Sequence, residues 1–553
     1  MKFDFKIVNS NKQFKEISSN EFNSIEEIFK YKAWKNDHII IQLLVYANED
    51  STLNLGIDKV DEVESKIYAV QKVLAYTGKP FELIPYEENI KRTEASDLLI
   101  ETNQVKLTKG DFTSFFIDIY TKNAKDSKIN IAISDGEKII NKELELEVID
   151  KFVEINKEIF DIQLWQYPYS SAEYYEVEPF SNDHVEILKK HLKPYKDLGG
   201  DAIVASLCED AWGDQTYSKN KIKFPSMIKW KLEEEMRYDF SDFDKWIGIT
   251  NDLGLGQKRI ILYGMAPWHE SFTYIKDGEL VREKYDIKSK LYSDRWMHFL
   301  EHLYRHLENK NIHEKVFIGI DEKGFNDEIF EIIEKASDKL NINIKVAAAI
   351  NNFENTKKYD KYIEYASVSF IEYEKDRNKF IEFTSERRKQ NKYTSLYSCT
   401  GHKPGNFVLS QFGETYITVV QSFIADGFLR WAYDAWVKNP LVDVTHEFFE
   451  PGDCFLIYPA LKNCEKPNIS IRYLKILEAI HDGYKLRSIL NEEELFDFFR
   501  RLDTKFVWSN TYPTSEETAI LFEDIKRIKE IINSRRWSWS VKHMEFLQRL
   551  QWL

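Results

Sequence analysis

The stretch Val316–Asp327, VFIGIDEKGFND, joins a short apolar run to two adjacent carboxylates, Asp321 and Glu322, and then to a glycine. A short apolar run bounded by turn signals is typical of a buried strand. Two neighbouring carboxylates raise each other's pKa and contribute nothing to packing. The pair is therefore either a solvated corner or a site that requires two carboxyl groups in different protonation states.

Runs of the same kind recur from about residue 154 to residue 441 and alternate with amphipathic helical stretches. Eight can be counted: IFDIQLWQY, DAIVASLCED, RIILYGMAP, VFIGIDEKG, INIKVAAAI, YASVSFIEY, KYTSLYSCT and GFLRWAYDAW. In the helical stretch after the fourth run, apolar residues share one face and Asn326 or Asp327 can cap its start. Eight strands, each followed by a helix or a long insertion, predict a (β/α)8 TIM barrel, whose active site lies at the C-terminal strand ends. Asp321 and Glu322 end the fourth strand.

The regions on either side of the barrel have different patterns. Up to about Phe152, stretches such as HIIIQLLVYA and SFFIDIYTKN are strand-like and separated by turn residues, which predicts an antiparallel β-sandwich. The chain after Ser470 is helical in pattern. We therefore expect a β-sandwich domain at 1–152, a catalytic barrel at 153–490 and a helical C-terminal extension packed on the barrel at 491–553.

Composition excludes several classes of partner. The 553 residues carry a net charge of −15, which argues against nucleic acid. No apolar run approaches the ~20 residues of a membrane helix, so we expect no membrane insertion. The start, MKFDFKIVNS, lacks the apolar core of a signal peptide, which predicts a cytoplasmic protein. The oligomeric state is not indicated.

Neither a metal nor an organic cofactor is expected. The four cysteines form no disulfide framework and no CxxC spacing. His298, His302 and His306 repeat every fourth residue, but they lack a complete ligand set and indicate a solvated or half-buried helix face. LGLGQKR has Arg259 where a dinucleotide fingerprint needs its third glycine, and it precedes a strand.

The adjacency of Asp321 and Glu322 limits the chemistry. Neighbours on a strand point to opposite sides, so they cannot easily flank a glycosidic bond as nucleophile and acid about 5–5.5 Å apart. An adjacent pair suits a reaction in which one carboxyl protonates the leaving oxygen and the other steadies a substituent of the same sugar. The rival stretch is CEDAWGDQTY at the end of the second strand, with Glu209 and Asp210, which we interpret as a sugar-binding loop.

Aromatic residues at the strand ends are core candidates one by one, but together they predict a wall on which a sugar stacks. The main rings of this wall would be Trp212, Trp268 and Tyr397, with Asp210 and His269 as polar partners of the hydroxyls. The complete set of predicted substrate-binding residues is Asp210, Trp212, Trp268, His269, Tyr365, Tyr397 and Trp431.

The barrel motif IGIDEKG, followed by GFLRWAYDAWVKNP, PGDCFLIYP and SIRYLKILEAIHDGYKL, resembles glycoside hydrolase family 123, the β-N-acetylgalactosaminidases. The resemblance implies an exo-acting retaining enzyme without cofactor. Such an enzyme removes terminal β-linked GalNAc, including that of glycosphingolipid glycans, through an oxazolinium intermediate. Carried onto this chain, it makes Asp321 the residue that orients the acetamido nitrogen and Glu322 the general acid and then base.

Two other functions remain open from the sequence. One is a different β-glycosidase that uses Glu209 or Asp210 on the same barrel. The other is a non-catalytic glycan-binding protein whose sandwich recognises the sugar. Release of nitrophenol from the β-GalNAc glycoside, compared with the β-GlcNAc and β-Gal glycosides, separates these possibilities.

Overall fold

A computed structural model of the protein describes residues 2–76, 91–213, 215–217, 225–323, 325–399, 407–447, 449–461, 465–505 and 513–534, with Asn355 as backbone only. Residues 535–553 of the predicted C-terminal extension lie outside the described residues, as does Gly324 of the stretch quoted first. The described chain consists of N-terminal, mainly antiparallel sheets followed by a parallel barrel.

The N-terminal region contains ten strands and one short helix, α1 (Ser19–Ser24). The strands are β1 (Phe3–Val8), β2 (Lys30–Lys35), β3 (Asp37–Ala47), β4 (Ser51–Ile57), β5 (Val63–Ala75), β6 (Thr93–Ile100), β7 (Gln104–Leu107), β8 (Phe112–Thr121), β9 (Ser127–Ser134) and β10 (Ile139–Phe152). They form two sheets, a β-sandwich as predicted, in which only the β2–β10 pair among the described pairs is parallel.

Eight strands make the barrel, and each coincides with a run predicted from the sequence. They are β11 (Asp161–Leu164), β12 (Ile203–Ser206), β15 (Ile260–Tyr263), β18 (Val316–Ile320), β19 (Lys345–Ile350), β20 (Ile363–Ser369), β21 (Tyr393–Ser398) and β22 (Gly427–Arg430). Insertions after the second and third barrel strands form a separate sheet of β13 (Lys229–Leu232), β14 (Met236–Asp239), β16 (Ser271–Lys276) and β17 (Glu279–Lys284).

Helices surround the barrel and extend beyond it. Those between the barrel strands are α2 (Pro168–Tyr174), α3 (Asn182–Asp197), α4 (Ser241–Asp252), α5 (Lys290–Asn309), α6 (Asp327–Leu340), α7 (Phe353–Tyr359), α8 (Phe370–Lys375), α9 (Arg377–Lys389) and α10 (Phe412–Ser422). After the barrel come β23 (Ile457–Tyr458), β24 (Asn468–Ser470), α11 (Ile471–Ile489), α12 (Glu492–Arg500) and α13 (Ser515–Ile532).

The seven-stranded sheet of the sandwich is a middle layer. On β3, the second strand of this sheet, Ile41 and Leu43 pack toward Leu55 and Ile131 of the five-stranded sheet. Ile40 points the other way, into the apolar cluster shared with the barrel, because successive side chains of a strand alternate between faces. Burial on both faces explains why β3 is apolar from Ile39 to Ala47 except at Gln42, instead of alternating between apolar and polar residues.

The barrel strands lie in the order β11-β22-β21-β20-β19-β18-β15-β12, all parallel. β18 is the fourth along the chain, and Gly319 stands opposite Tyr263 of β15 and Ala347 of β19. A Cβ at Gly319 would lie 2.9 Å from a methyl group of Ile261, closer than real contacts allow. The glycine in VFIGI is therefore required by close packing beside β15.

Side chains join β11 and β12, the two ends of the barrel sheet, where the described backbone forms no ladder. The Tyr195 hydroxyl lies 2.7 Å from the carbonyl oxygens of both Ile162 and Ala202. The Gln166 side chain donates to the Ala202 carbonyl at 3.2 Å and accepts from the Val204 amide at 3.0 Å. Because buried backbone groups are costly when unpaired, these two side chains replace the missing ladder bonds.

A buried ionic network ties the sandwich to the C-terminal helices. Lys485 of α11 contacts Asp37 of β3 at 2.5 Å and Asp482 at 2.8 Å. Lys529 of α13 contacts Asp482 at 2.5 Å and Glu478 at 2.7 Å. All these charges except Lys529, whose side chain is partly exposed, are almost completely buried, and all are paired, so removing one partner would leave an uncompensated charge. β3, α11 and α13 thus form one block.

We expect Tyr195→Phe to destabilise the protein by about 1–3 kcal/mol, because it removes the buried hydroxyl that the Ile162 and Ala202 carbonyls share at the β11–β12 junction. The free energy of unfolding, measured by denaturant titration, checks this. Tyr393→Phe is the matched control, since that hydroxyl belongs to a residue 36% exposed and its loss should cost less than about 0.5 kcal/mol. Equal effects of the two substitutions would contradict the role of Tyr195.

Candidate active site

Asp321 and Glu322 directly follow β18 on the C-terminal face of the barrel, as predicted. The next helix, α6, begins after Asn326, whose side chain accepts a hydrogen bond from the Ile329 amide at 3.0 Å. The capped helix and the buried strand hold the intervening loop from both ends. Both carboxylates are partly buried.

Hydrogen bonds orient the two carboxyl groups differently. Asp321 accepts from the backbone amide of Glu322 at Oδ1 (2.9 Å) and from the indole of Trp268 at Oδ2 (3.1 Å). Glu322 is hydrogen-bonded by the side chain of Asn351, the residue that follows β19. Each carboxyl is therefore held by donors from the loop or strand end next to it.

The surroundings also shift the pKa of both carboxyl groups. Burial, and then the charge of Asp321, raise the pKa of Glu322 to about 8. Burial raises the pKa of Asp321 as well, while its hydrogen bonds from Trp268 and from the Glu322 amide act in the opposite direction. The pKa of both carboxyls is thus raised, so the pair retains a proton more readily than two separate exposed carboxyls would. The pair can supply one proton donor and one negative charge side by side.

An aromatic wall lies near the pair, formed by Trp165, Tyr167, Trp212, Tyr263 and Trp431. Trp212 stacks on Tyr263 with 4.9 Å between ring centroids and lies 4.9 Å from Tyr167. Burial, and then the charge of Asp321, raise the pKa of both tyrosines, which places the wall close to that carboxylate. Predicted Trp212 and Trp431 are thus in the wall, but Tyr167 was missed by the sequence analysis.

Glu209 and Asp210 lie in the loop after β12, and His269 lies in the loop after β15. Both loops lead from the barrel to the inserted sheet. Asp210 is 1% exposed, adopts a left-handed φ of 48° and pairs with Arg282 of β17 at 3.4 Å. His269 Nε2 is 2.8 Å from the Glu209 carbonyl oxygen, and the Glu209 amide donates to Thr273. The structure gives Asp210 and His269 these internal partners; contact with a sugar stays a prediction.

The ends of β21 and β22 complete this face. Tyr397 is buried in β21, 4.0 Å from the thiol of Cys399, and the pKa of that thiol is raised by burial and then by the charge of Glu322. The indole of Trp431 donates to Asp453 at 2.7 Å, and Asp453 also pairs with Arg430 at 3.0 Å. Cys399 and Asn351 could have been suspected from the sequence only because each directly follows a buried run.

The prediction that Tyr365 binds substrate is wrong. Tyr365 lies near the start of β20, is fully buried, and has the Arg259 guanidinium 4.7 Å over its ring. Arg259 precedes β15 and pairs at 3.1 Å with Asp161, the first residue of β11. These residues occupy the N-terminal end of the barrel, opposite Asp321, where polar contacts serve stability.

Two further features bear on function. Within the described residues, no group of three or more His, Cys, Asp or Glu side chains could hold a metal ion. His298 and His306 of the histidine row instead contact Tyr238 and Asp244, each at 2.8 Å. In the same part of the chain, none of the helices has the length and apolar character needed to cross a bilayer.

The fold has a close counterpart among solved structures. The chain is similar to a family 123 glycoside hydrolase from Clostridium perfringens, studied for glycolipid glycan hydrolysis, with a TM-score of 0.86 and 23% identity over 96% of this chain and 98% of that chain. At that identity the similarity shows the fold alone. A Bacteroides fragilis protein proposed as an α-galactosidase or melibiase has a TM-score of 0.28, 9% identity and coverage of 82% of this chain and 77% of its own. That likeness is too low to support an argument.

The sequence itself matches the family model of the glycoside hydrolase 123 catalytic domain over residues 165–489. No curated protein sequence matches the chain. The matched segment includes Asp321, Glu322 and most of the aromatic wall. Because it spans more than half of the 553 residues, the chain belongs to glycoside hydrolase family 123 and is a glycosidase.

Proposed function

We propose that this glycosidase is an exo-acting, retaining β-N-acetylgalactosaminidase that uses the acetamido group of its substrate as the nucleophile. The observation that carries the proposal is the side-by-side pair at the end of β18. Asp321 accepts hydrogen bonds from two neutral donors, and the pKa of Glu322 is raised to about 8. Neither carboxylate then has to reach beneath the anomeric carbon.

In the first step, the acetamido carbonyl oxygen attacks the anomeric carbon while the bond to the leaving oxygen breaks. Glu322 transfers its proton to that oxygen. Ionised Asp321 accepts a hydrogen bond from the acetamido N–H and offsets the positive charge of the oxazolinium. In the second step, Glu322 takes a proton from water as the water oxygen attacks the anomeric carbon. The bond between the anomeric carbon and the acetamido oxygen breaks, which opens the oxazolinium ring, and the sugar is released as its β-anomer.

The substrate class is proposed from the same features. The aromatic wall beside Asp321 offers apolar faces for the C–H surface of a sugar and for the acetamido methyl group. The similar Clostridium perfringens enzyme was studied for the hydrolysis of glycolipid glycans. We propose terminal β-GalNAc of such glycans as the substrate, with no metal or organic cofactor, since two carboxylates and an acetamide suffice.

The rival acid, Glu209, has an environment that suits it less. Burial raises its pKa to about 7, so it could hold a proton. Its neighbour Asp210, however, is engaged by Arg282 and almost fully buried, which leaves no free second carboxylate beside it. A non-catalytic glycan-binding role is set aside because the chain is a glycosidase.

Glu322→Gln should reduce kcat/KM for an unactivated β-GalNAc glycan by about 10²–10⁴-fold, because a poor leaving group needs a proton. Nitrophenyl glycosides should lose less at the first step, and azide should partly restore the second. Glu209→Gln is the matched control, at the end of β12 two strands away from β18, and should retain most activity. If Glu209→Gln abolishes turnover while Glu322→Gln does not, the two roles are exchanged.

Asp321→Asn should lower kcat on the order of 10²-fold or more while substrate still binds, because a neutral amide cannot balance the developing charge. A GalNAc-thiazoline should inhibit the wild type strongly, and substrates without the 2-acetamido group should be inert. The measurements are steady-state kinetics on matched nitrophenyl β-GalNAc and β-Gal glycosides and NMR of the first product. Trapping a glycosyl ester on either carboxylate would disprove the mechanism.

The alkaline limb of kcat/KM should have a pKa of about 8, since Glu322 must be protonated to act and ionises above that value. Replacing Asp321 by Asn removes the adjacent negative charge, which stabilises ionised Glu322 and lowers its pKa. The limb should therefore move to lower pH in Asp321→Asn. A limb at the same pH in both enzymes would show that Glu322 is not the group that titrates.

A further inference from the structure

Trp268 is directed at a catalytic carboxylate instead of presenting an open ring to the pocket. Its indole N–H donates to Oδ2 of Asp321 at 3.1 Å, while the Glu322 amide occupies Oδ1 at 2.9 Å. Both oxygens of the carboxylate therefore have a fixed donor. A carboxylate with donors on both oxygens cannot rotate about its Cβ–Cγ bond without losing them.

The indole is itself held by loops from three barrel strands. The Trp268 amide donates to the Ala211 carbonyl in the loop after β12 at 2.8 Å. In that loop Gly213 has a φ of +56°, and a Cβ there would lie 3.2 Å from the Trp268 Cβ. Lys323, after β18, places its ammonium group 4.6 Å over the ring and 3.4 Å from the Trp268 carbonyl oxygen.

These contacts make sugar stacking an unsuitable role for this ring. The Lys323 ammonium covers one of its faces, and Gly213 leaves little freedom for the Cβ to shift. A donor fixed in this way favours the ionised carboxylate, because hydrogen bonds to the charged form stabilise that form. Ionised Asp321 is what the oxazolinium requires.

We infer that Trp268 is a positioning residue, which holds Asp321 in the orientation and charge state that receive the acetamido N–H. The inference rests on the role of Asp321 in the proposed function. It assigns to Trp268 a task that depends on its N–H, whereas a stacking role would depend on its ring alone.

A double-mutant cycle of Trp268→Phe and Asp321→Asn on nitrophenyl β-GalNAc tests it. Trp268→Phe keeps an aromatic ring and deletes the N–H, so kcat/KM should fall roughly 10- to 100-fold, mainly in kcat. If Trp268 acts through Asp321, the double variant should be within about 2-fold of Asp321→Asn alone. Additive losses would overturn the inference, because a ring that stacks on the sugar acts independently of Asp321.

The pH profile gives a second readout that a merely structural role would not change. Loss of the N–H should raise the pKa of Asp321 and move the acidic limb of kcat/KM to higher pH. Trp296→Phe is the matched control, since that indole is buried on α5 among Trp230 and Phe299, and its acidic limb should equal that of the wild type. An unmoved limb in Trp268→Phe would contradict the inference.

A milder variant keeps the test available if Trp268→Phe proves unstable. Lys323→Met removes the cation over the ring and should reduce kcat/KM about 2- to 5-fold, again only when Asp321 is present. An equal loss in the Asp321→Asn background would count against the inference. Efficient hydrolysis of a plain β-galactoside would instead reject the proposed function, while the coupling between Trp268 and Asp321 would remain measurable in the same cycle.

Discussion

The catalytic face depends on closing a parallel sheet whose end strands, β11 and β12, share no described backbone ladder. Tyr195 and Gln166 supply the missing hydrogen bonds from side chains. Once the sheet is closed, the C-terminal ends of eight strands converge on one area, so that residues distant in sequence become neighbours. The site is therefore supported by this convergence and by the loops that it brings into contact.

The described hydrogen-bond partners of the carboxylate pair are neutral: an indole, a backbone amide and the side-chain amide of Asn351. A lysine or arginine in direct contact would favour ionisation of both groups and remove the proton donor. Neutral donors orient the carboxyls but leave their mutual repulsion largely intact, and that repulsion keeps one proton on the pair. The cation nearest to Asp321 in sequence, Lys323, acts on the ring of Trp268 instead.

The sequence predicted the sandwich, all eight barrel strands and the position of Asp321 and Glu322 because these depend on local patterns of burial. Tyr365 was misplaced although its strand was right, since it lies near the start of its strand, whereas Asp321 follows the end of one. Tyr195 and Gln166 could not be found, because the need for them arises only where two strands meet without pairing. Trp268 was predicted as a ring that stacks on the sugar. Its sequence position could not show that its indole N–H points at Asp321, because only the folded geometry gives that direction.

The seven-stranded sheet begins with residue 3 and is completed by β24, which pairs with β6 across more than 350 residues, and by β23, which pairs with β24. During synthesis, β6 therefore has an unpaired edge until the whole barrel has emerged. Such an edge is a template for association with other chains. We therefore expect the last step of sandwich folding to wait for the barrel, and the partly made chain to be more prone to association than the finished enzyme.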